Sequence, residues 1–209
     1  MLRLIHLLLA SSILSAHETP TTKLTWNREI SRLFEKRCMS CHQEGGIAPM
    51  AFQTFAQTRP WAVAIKEEVL KRTMPPWGAA KGFGEFSNDI SLPQEELNQI
   101  ADWAEGGAPE GDAQFRKPNF AVPIWKSPAP PKGAVTKTPA GTIVAIRAAT
   151  PGKRWAESPD GSVIPLLWQL SEKQRLRQWM VYRERVKLPR GAVIRGGPVE
   201  AIVSPTPLQ

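Results

Sequence analysis

The chain has 209 residues, 42% of them hydrophobic and 22% charged, with a net charge of +8. Its only cysteines are Cys38 and Cys41, which excludes a four-thiolate zinc or iron–sulfur site and leaves no thiol for a structural disulfide beside that pair. Charge is unevenly divided, with a net of −2 from His17 to Lys117 and +9 from Pro118 to Gln209, which points to two units rather than one.

At the N-terminus, Met1-Leu2-Arg3 gives a short positive start, Leu4 to Leu14 is mostly apolar, and Ser15-Ala16 offers small residues for cleavage. This pattern predicts a secretory signal peptide over residues 1–16, cut after Ala16. The apolar run is broken by His6, Ser11 and Ser12 and is too short for an ordinary membrane span, so no transmembrane span is expected after leader cleavage. The expected location is periplasmic or otherwise extracytoplasmic. Export in turn argues against nucleic acid as the partner of the basic region.

Asn27 is placed to cap a helix carrying Ile30, Leu33 and Phe34 on one face, and that helix runs into Cys38-Met39-Ser40-Cys41-His42. Two thiols three residues apart can add to the vinyl groups of a haem, and the next histidine is then held where its ring reaches the iron. A thioredoxin-like redox pair shares the spacing but needs a preceding parallel-strand pattern, which is absent here. A zinc site needs further ligands, yet the other histidines are His6 and His17, both near the N-terminus. One covalent haem c, with its iron, is the cofactor that the motif predicts.

Pro60 fits the first turn of a second helix, Trp61 to Arg72, with Trp61, Ile65 and Val69 as its stripe, ended by Met74-Pro75-Pro76. A third helix starts near Pro93, carries Glu95 and Glu96 in its first turn and Leu97, Ile100 and Ala104 on one side, and stops at Gly106-Gly107. Trp61, Trp77, Trp103, Phe52, Phe55, Phe83 and Phe86 are the aromatics available to line a pocket. With histidine scarce, a second axial ligand to iron would be a methionine, and Met74 is preferred because the two prolines after it fix an extended backbone. Met50 and an open or water-bound position remain the alternatives.

Residues 118–140, with Pro118, Pro123, Pro128, Pro130, Pro131 and Pro139, read as an extended linker. Beyond it, Thr142 to Ala148, Ser162 to Trp168, Gln178 to Val186, Ala192 to Arg195 and Val199 to Ser204 lean towards strand, separated by turn signals such as Pro159-Asp160-Gly161 and Pro189-Arg190-Gly191. Lys173, Arg175, Arg177, Arg183, Arg185 and Lys187 make this half basic, either as a plain solvated face or as a docking surface for an acidic redox partner or an anionic surface.

The helix entering Cys38 to His42, the later Met74-Pro75-Pro76 and the closing helix from Leu92-Pro93-Gln94-Glu95-Glu96-Leu97 resemble the class I cytochrome c domain. Gly45-Gly46-Ile47-Ala48-Pro49-Met50, Met74-Pro75-Pro76-Trp77, Phe86-Ser87-Asn88-Asp89 and Trp103 with Gly106 to Gly111 resemble, more narrowly, a group of secreted bacterial monohaem cytochromes, over about residues 24 to 115. That resemblance implies Cys38 and Cys41 as thioether partners, His42 as proximal ligand, Met74 as distal ligand, and Pro49 as the residue whose ring or carbonyl orients His42. Asp160-Gly161-Ser162 with Pro165 to Trp168, then Tyr182, Leu188 to Ala192 and Ile194, distantly resemble the last β section of copper type II ascorbate-dependent monooxygenases. No histidine lies in this half, so no copper site carries over.

The expected fold class is therefore α plus all-β in two domains. A helical cytochrome c domain over residues 17–117 precedes the linker, and a small antiparallel β-sheet or sandwich over 141–209 follows it. The expected function is single-electron transfer between redox partners by a His/Met-ligated haem, with no catalytic residues. A haem enzyme or sensor for peroxide or a diatomic gas, with a labile or absent distal ligand, is the alternative.

Overall fold

The computed structural model describes residues 22–170 and 178–204. The leader and the cationic residues Lys173, Arg175 and Arg177 lie outside these described residues.

The helical part begins with a π-helical turn, Trp26–Ile30, that runs directly into α1 (Ser31–Arg37). Asn27 does not cap it. The cap position is Thr25, whose backbone N–H donates to the Glu29 carboxylate at 3.0 Å. Asn27 is instead buried and donates through Nδ2 to the carbonyls of Gly111 and Asp112 at 3.1 and 3.2 Å, fixing the start of the helix to a segment over eighty residues away. Next come α2 (Phe55–Thr58), opened by a reciprocal Thr54/Gln57 capping box, a 3-10 turn (Arg59–Trp61) and α3 (Ala62–Leu70). Trp61 stays 43% exposed, so the buried stripe of α3 starts one residue later, at Ala62. α4 (Gln94–Glu105) buries Leu97, Ile100, Ala101, Trp103 and Ala104. Trp26, Phe34 and Trp103 meet at ring-centroid distances of 5.4 to 6.3 Å, joining the first and last helices in one core.

Among the described residues, seven strands form two antiparallel sheets. In the first the order is β1 (Ala134–Thr136), β7 (Glu200–Val203), β2 (Thr142–Arg147), β5 (Met180–Lys187). In the second it is β4 (Val163–Gln169), β3 (Gly152–Glu157), β6 (Val193–Arg195). β1 and β3 had no counterpart among the expected runs, since Gly-Lys-Arg-Trp-Ala-Glu in β3 carries no β-branched residue. A register shift opposite Arg154 and Trp155 adds one residue to β4, and this is how the consecutive Leu166 and Leu167 both come to be fully buried. The sheets face each other over Ile143, Ile146, Met180, Tyr182 and Ala201 on one side and Ala156, Leu166 and Leu167 on the other.

The border between the two cores does not follow the composition break. Trp77, Ala79 and Phe86, from the stretch expected to be cytochrome, are buried in the β core. Conversely, Phe120 and Val122 of the expected linker pack against the helical core. Non-local backbone pairing, which composition does not report, draws the line.

Candidate functional site

The end of α1 turns on a run of backbone bonds: Cys38 and Met39 N–H to the Phe34 carbonyl, both 2.8 Å, then Cys41 and His42 N–H to the Cys38 carbonyl at 3.1 and 2.9 Å. Both thiols thus sit on one tight turn, anchored by the fully buried Met39 between them. Neither is in a disulfide. Burial, then the charges of Cys41 and Glu96, push the Cys38 thiol up to about 12 against a smaller downward pull from Arg37. Burial also raises Cys41, despite the Ser40 hydroxyl.

His42 is held on two sides. Its Nδ1 lies 3.0 Å from the carbonyl of Met50, which can only accept, so Nδ1 carries the proton. The Phe52 ring stacks on the imidazole at 4.4 Å and 15°, and the Phe52 N–H donates to the His42 carbonyl at 2.9 Å. Burial lowers the His42 pKa, opposed by the Met50 carbonyl. The product is a neutral ring with its Nε2 lone pair available, the state in which histidine ligates a metal. Gly46 makes the loop possible, because a Cβ there would stand 2.3 Å from the Cys41 carbonyl oxygen.

Pro49 was expected to orient His42. The acceptor is the next residue: Pro49 is exposed, and the Met50 carbonyl takes the ring proton. A loop that must bring one carbonyl onto a ring nitrogen is fixed by backbone geometry, which a motif match resolves only to within a residue. The same bond bears on Met50 as an axial ligand, since its backbone sits behind His42.

Met74 follows α3, with its N–H to the Glu68 carbonyl at 3.2 Å and a cis peptide to Pro75. Its side chain is partly buried against the helical core. It lines a cavity of about 300 Å³ with Val69, Arg72, Trp77, Leu92 and Leu170, at the junction with the β sheets. The expected aromatics divide: Phe52 and Trp103 are in the helical core with Phe55 beside it, Trp77 and Phe86 are in the β core, and Phe83 lies edge-on to Trp168.

A strap missed in the sequence crosses the cysteine turn. The Trp125 N–H donates to the Ser40 carbonyl at 2.7 Å, Gln43 Nε2 donates to the Val122 carbonyl at 3.0 Å, and Lys117 pairs with Glu35 at 2.6 Å. Proline content marks this stretch as an extended linker; the hydrophobic Phe120, Val122, Ile124 and Trp125 within it are the signal of docking.

Two thiols on one turn beside a neutral imidazole with Nε2 free fit a covalently held haem. Among the described residues no cluster of three or more His, Cys, Asp or Glu offers another metal site, and no helix is long and apolar enough to cross a membrane. No curated protein and no solved structure gives a significant match to the chain. The family match ends before the β sheets, so the likeness of that half to the monooxygenases finds no support. Residues 27–103, just over a third of the chain, match the family model described as cytochrome c oxidase, cbb3-type, subunit III, and this stretch is accordingly a c-type cytochrome domain, which implies covalently bound haem c.

Proposed function

We propose that the protein is an extracytoplasmic electron carrier holding one haem c, attached through Cys38 and Cys41, with His42 and Met74 as axial ligands. The observation that carries this reading is the His42 Nδ1–Met50 carbonyl bond, which fixes the ring tautomer and leaves Nε2 for iron. When bound, the haem supplies one-electron chemistry between Fe(III) and Fe(II), with a methionine sulfur favouring the reduced form. The chain's own part is to orient His42 through Phe52 and Met50 and to present Met74 from the end of α3. Placement outside the cytoplasm is supported by the usual location of cbb3-type cytochrome domains and by the leader pattern in residues 1–16. The net +9 beyond Pro118, with Arg183, Arg185 and Lys187 on β5, favours an acidic redox partner or an anionic surface as docking target.

A second reading, a haem enzyme or sensor for peroxide or a diatomic gas in which Met74 leaves the iron, is favoured by the cavity that Met74 lines. The ferric spectrum of the full chain, made in an export-competent host with haem-attachment machinery, separates the two. A red protein with one haem per chain, low-spin in the ferric state and inert to carbon monoxide when reduced, supports the carrier. A high-spin ferric spectrum defeats it, and a colourless protein defeats both.

A further inference from the structure

Between Met74 and Leu92 the chain leaves the helical core, becomes part of the β structure, and returns. Gly78 accepts from the Leu170 N–H at 2.8 Å and the Ala80 N–H donates to the Trp168 carbonyl at 2.9 Å, which pairs this segment with the end of β4. Seven residues on, Glu85 accepts from the Arg183 N–H and the Ser87 N–H donates to the Val181 carbonyl, both at 2.8 Å, pairing it with β5. Asn88 closes the grip from both ends of its amide: Nδ2 donates to the Trp179 carbonyl at 2.7 Å and Oδ1 accepts from the Val181 N–H at 2.9 Å. Phe86 lies 5.1 Å from the Tyr182 ring and 5.9 Å from Trp77, which is itself buried three residues after Met74. Gly84, at φ +90, lets the backbone pass Leu166, where a Cβ would stand 2.5 Å from the carbonyl oxygen.

We infer that the β sheets clamp the loop that carries Met74, and that Asn88 and Phe86 are positioning residues that keep its sulfur on the iron. The inference rests on Met74 being the distal ligand. A loop held only by its two ends opens at little free-energy cost, whereas one paired to two strands opens only by breaking those pairs. The role of the β half is then to set how firmly the sixth position is closed.

Imidazole added to the ferric holoprotein tests this, because it binds iron only when Met74 has left, and its apparent affinity scales with the open fraction. Far-red absorbance assigned to the methionine–iron bond and far-UV circular dichroism are followed together. Asn88→Ala and Phe86→Leu, with unchanged dichroism, are expected to bind imidazole on the order of tenfold more tightly than wild type. Ile202→Val, which thins the separate cluster formed with Val144 and Ala145, is expected to match wild type. Wild-type affinity in both clamp variants overturns the clamp, as does an equal rise in Ile202→Val. Absence of the far-red band in wild type marks failure of the Met74 assignment instead, and takes the clamp with it.

Discussion

Glu96, in the first turn of α4, ties that helix to the last turn of α1. It accepts from Arg37 Nε and Nη2 at 2.6 and 3.0 Å and from Lys36 Nζ at 2.9 Å, immediately before Cys38. Both ends suit their helix dipoles, the carboxylate at an N-terminus and the cations at a C-terminus. Burial alone would raise the Glu96 pKa, but the hydrogen bonds and charges of Arg37 and Lys36 outweigh it and hold the carboxyl below its ordinary 4.5. A depressed carboxyl contributes stability above its unfolded value and loses it as pH falls through the folded one. Glu96→Gln is therefore expected to cost about 1 kcal/mol near neutral pH, mostly through the two-pronged Arg37 contact. Denaturant melts should show that gap closing below about pH 4. Tyr182 shows the opposite sign. Burial raises its phenol, which donates to the Leu166 carbonyl at 2.8 Å. A raised acid contributes fully below its unfolded value and loses that contribution at higher pH. Tyr182→Phe should be about 1 kcal/mol less stable than wild type at pH 8, with the difference shrinking above pH 10. At this scale the grouping of two thiols and an imidazole was legible because Cys38, Cys41 and His42 lie on one turn. The Met50 carbonyl and the Asn27 contacts were not, because each depends on where a distant backbone falls.

Among the elements, α4 and five of the strands could be read from periodicity and turn residues, while β1 is only three residues long and sits among prolines, and β3 has no β-branched residue. The strap over the cysteine turn was hidden for another reason. Its prolines signal an extended segment, but an extended segment can still lend its carbonyls and N–H groups to a neighbour, as Val122 and Trp125 do to Gln43 and Ser40. Residues 126–131 make no comparable bonds and are almost wholly exposed. Limited proteolysis of the holoprotein with a broad-specificity protease should cut within 126–133 before it cuts within 120–125. First cleavage inside 120–125 would mean that the strap does not hold in solution.

For the whole molecule, the composition break at Pro118 is a boundary of charge and not of structure. Because residues 77–90 are sewn into the sheets, the two halves share a core even where the linker between them is bare. A chain carrying a specific protease site between Pro131 and Gly133 should, after complete cleavage, still elute as one particle in gel filtration and separate only in denaturant. Two separate native fragments would show that the halves are independent. That interlocking could not be read from sequence, since the partners of Ala79 and Phe86 lie some ninety residues further on, at Gln169 and Tyr182.

The proposed carrier depends on which sulfur closes the iron, and the far-red methionine–iron band of the ferric holoprotein reports it directly. The band is expected in wild type, retained in Met50→Ala and absent in Met74→Ala, where the iron becomes high-spin or accepts water. Loss of the band in Met50→Ala with its survival in Met74→Ala, or absence of the band in wild type, would contradict the assignment.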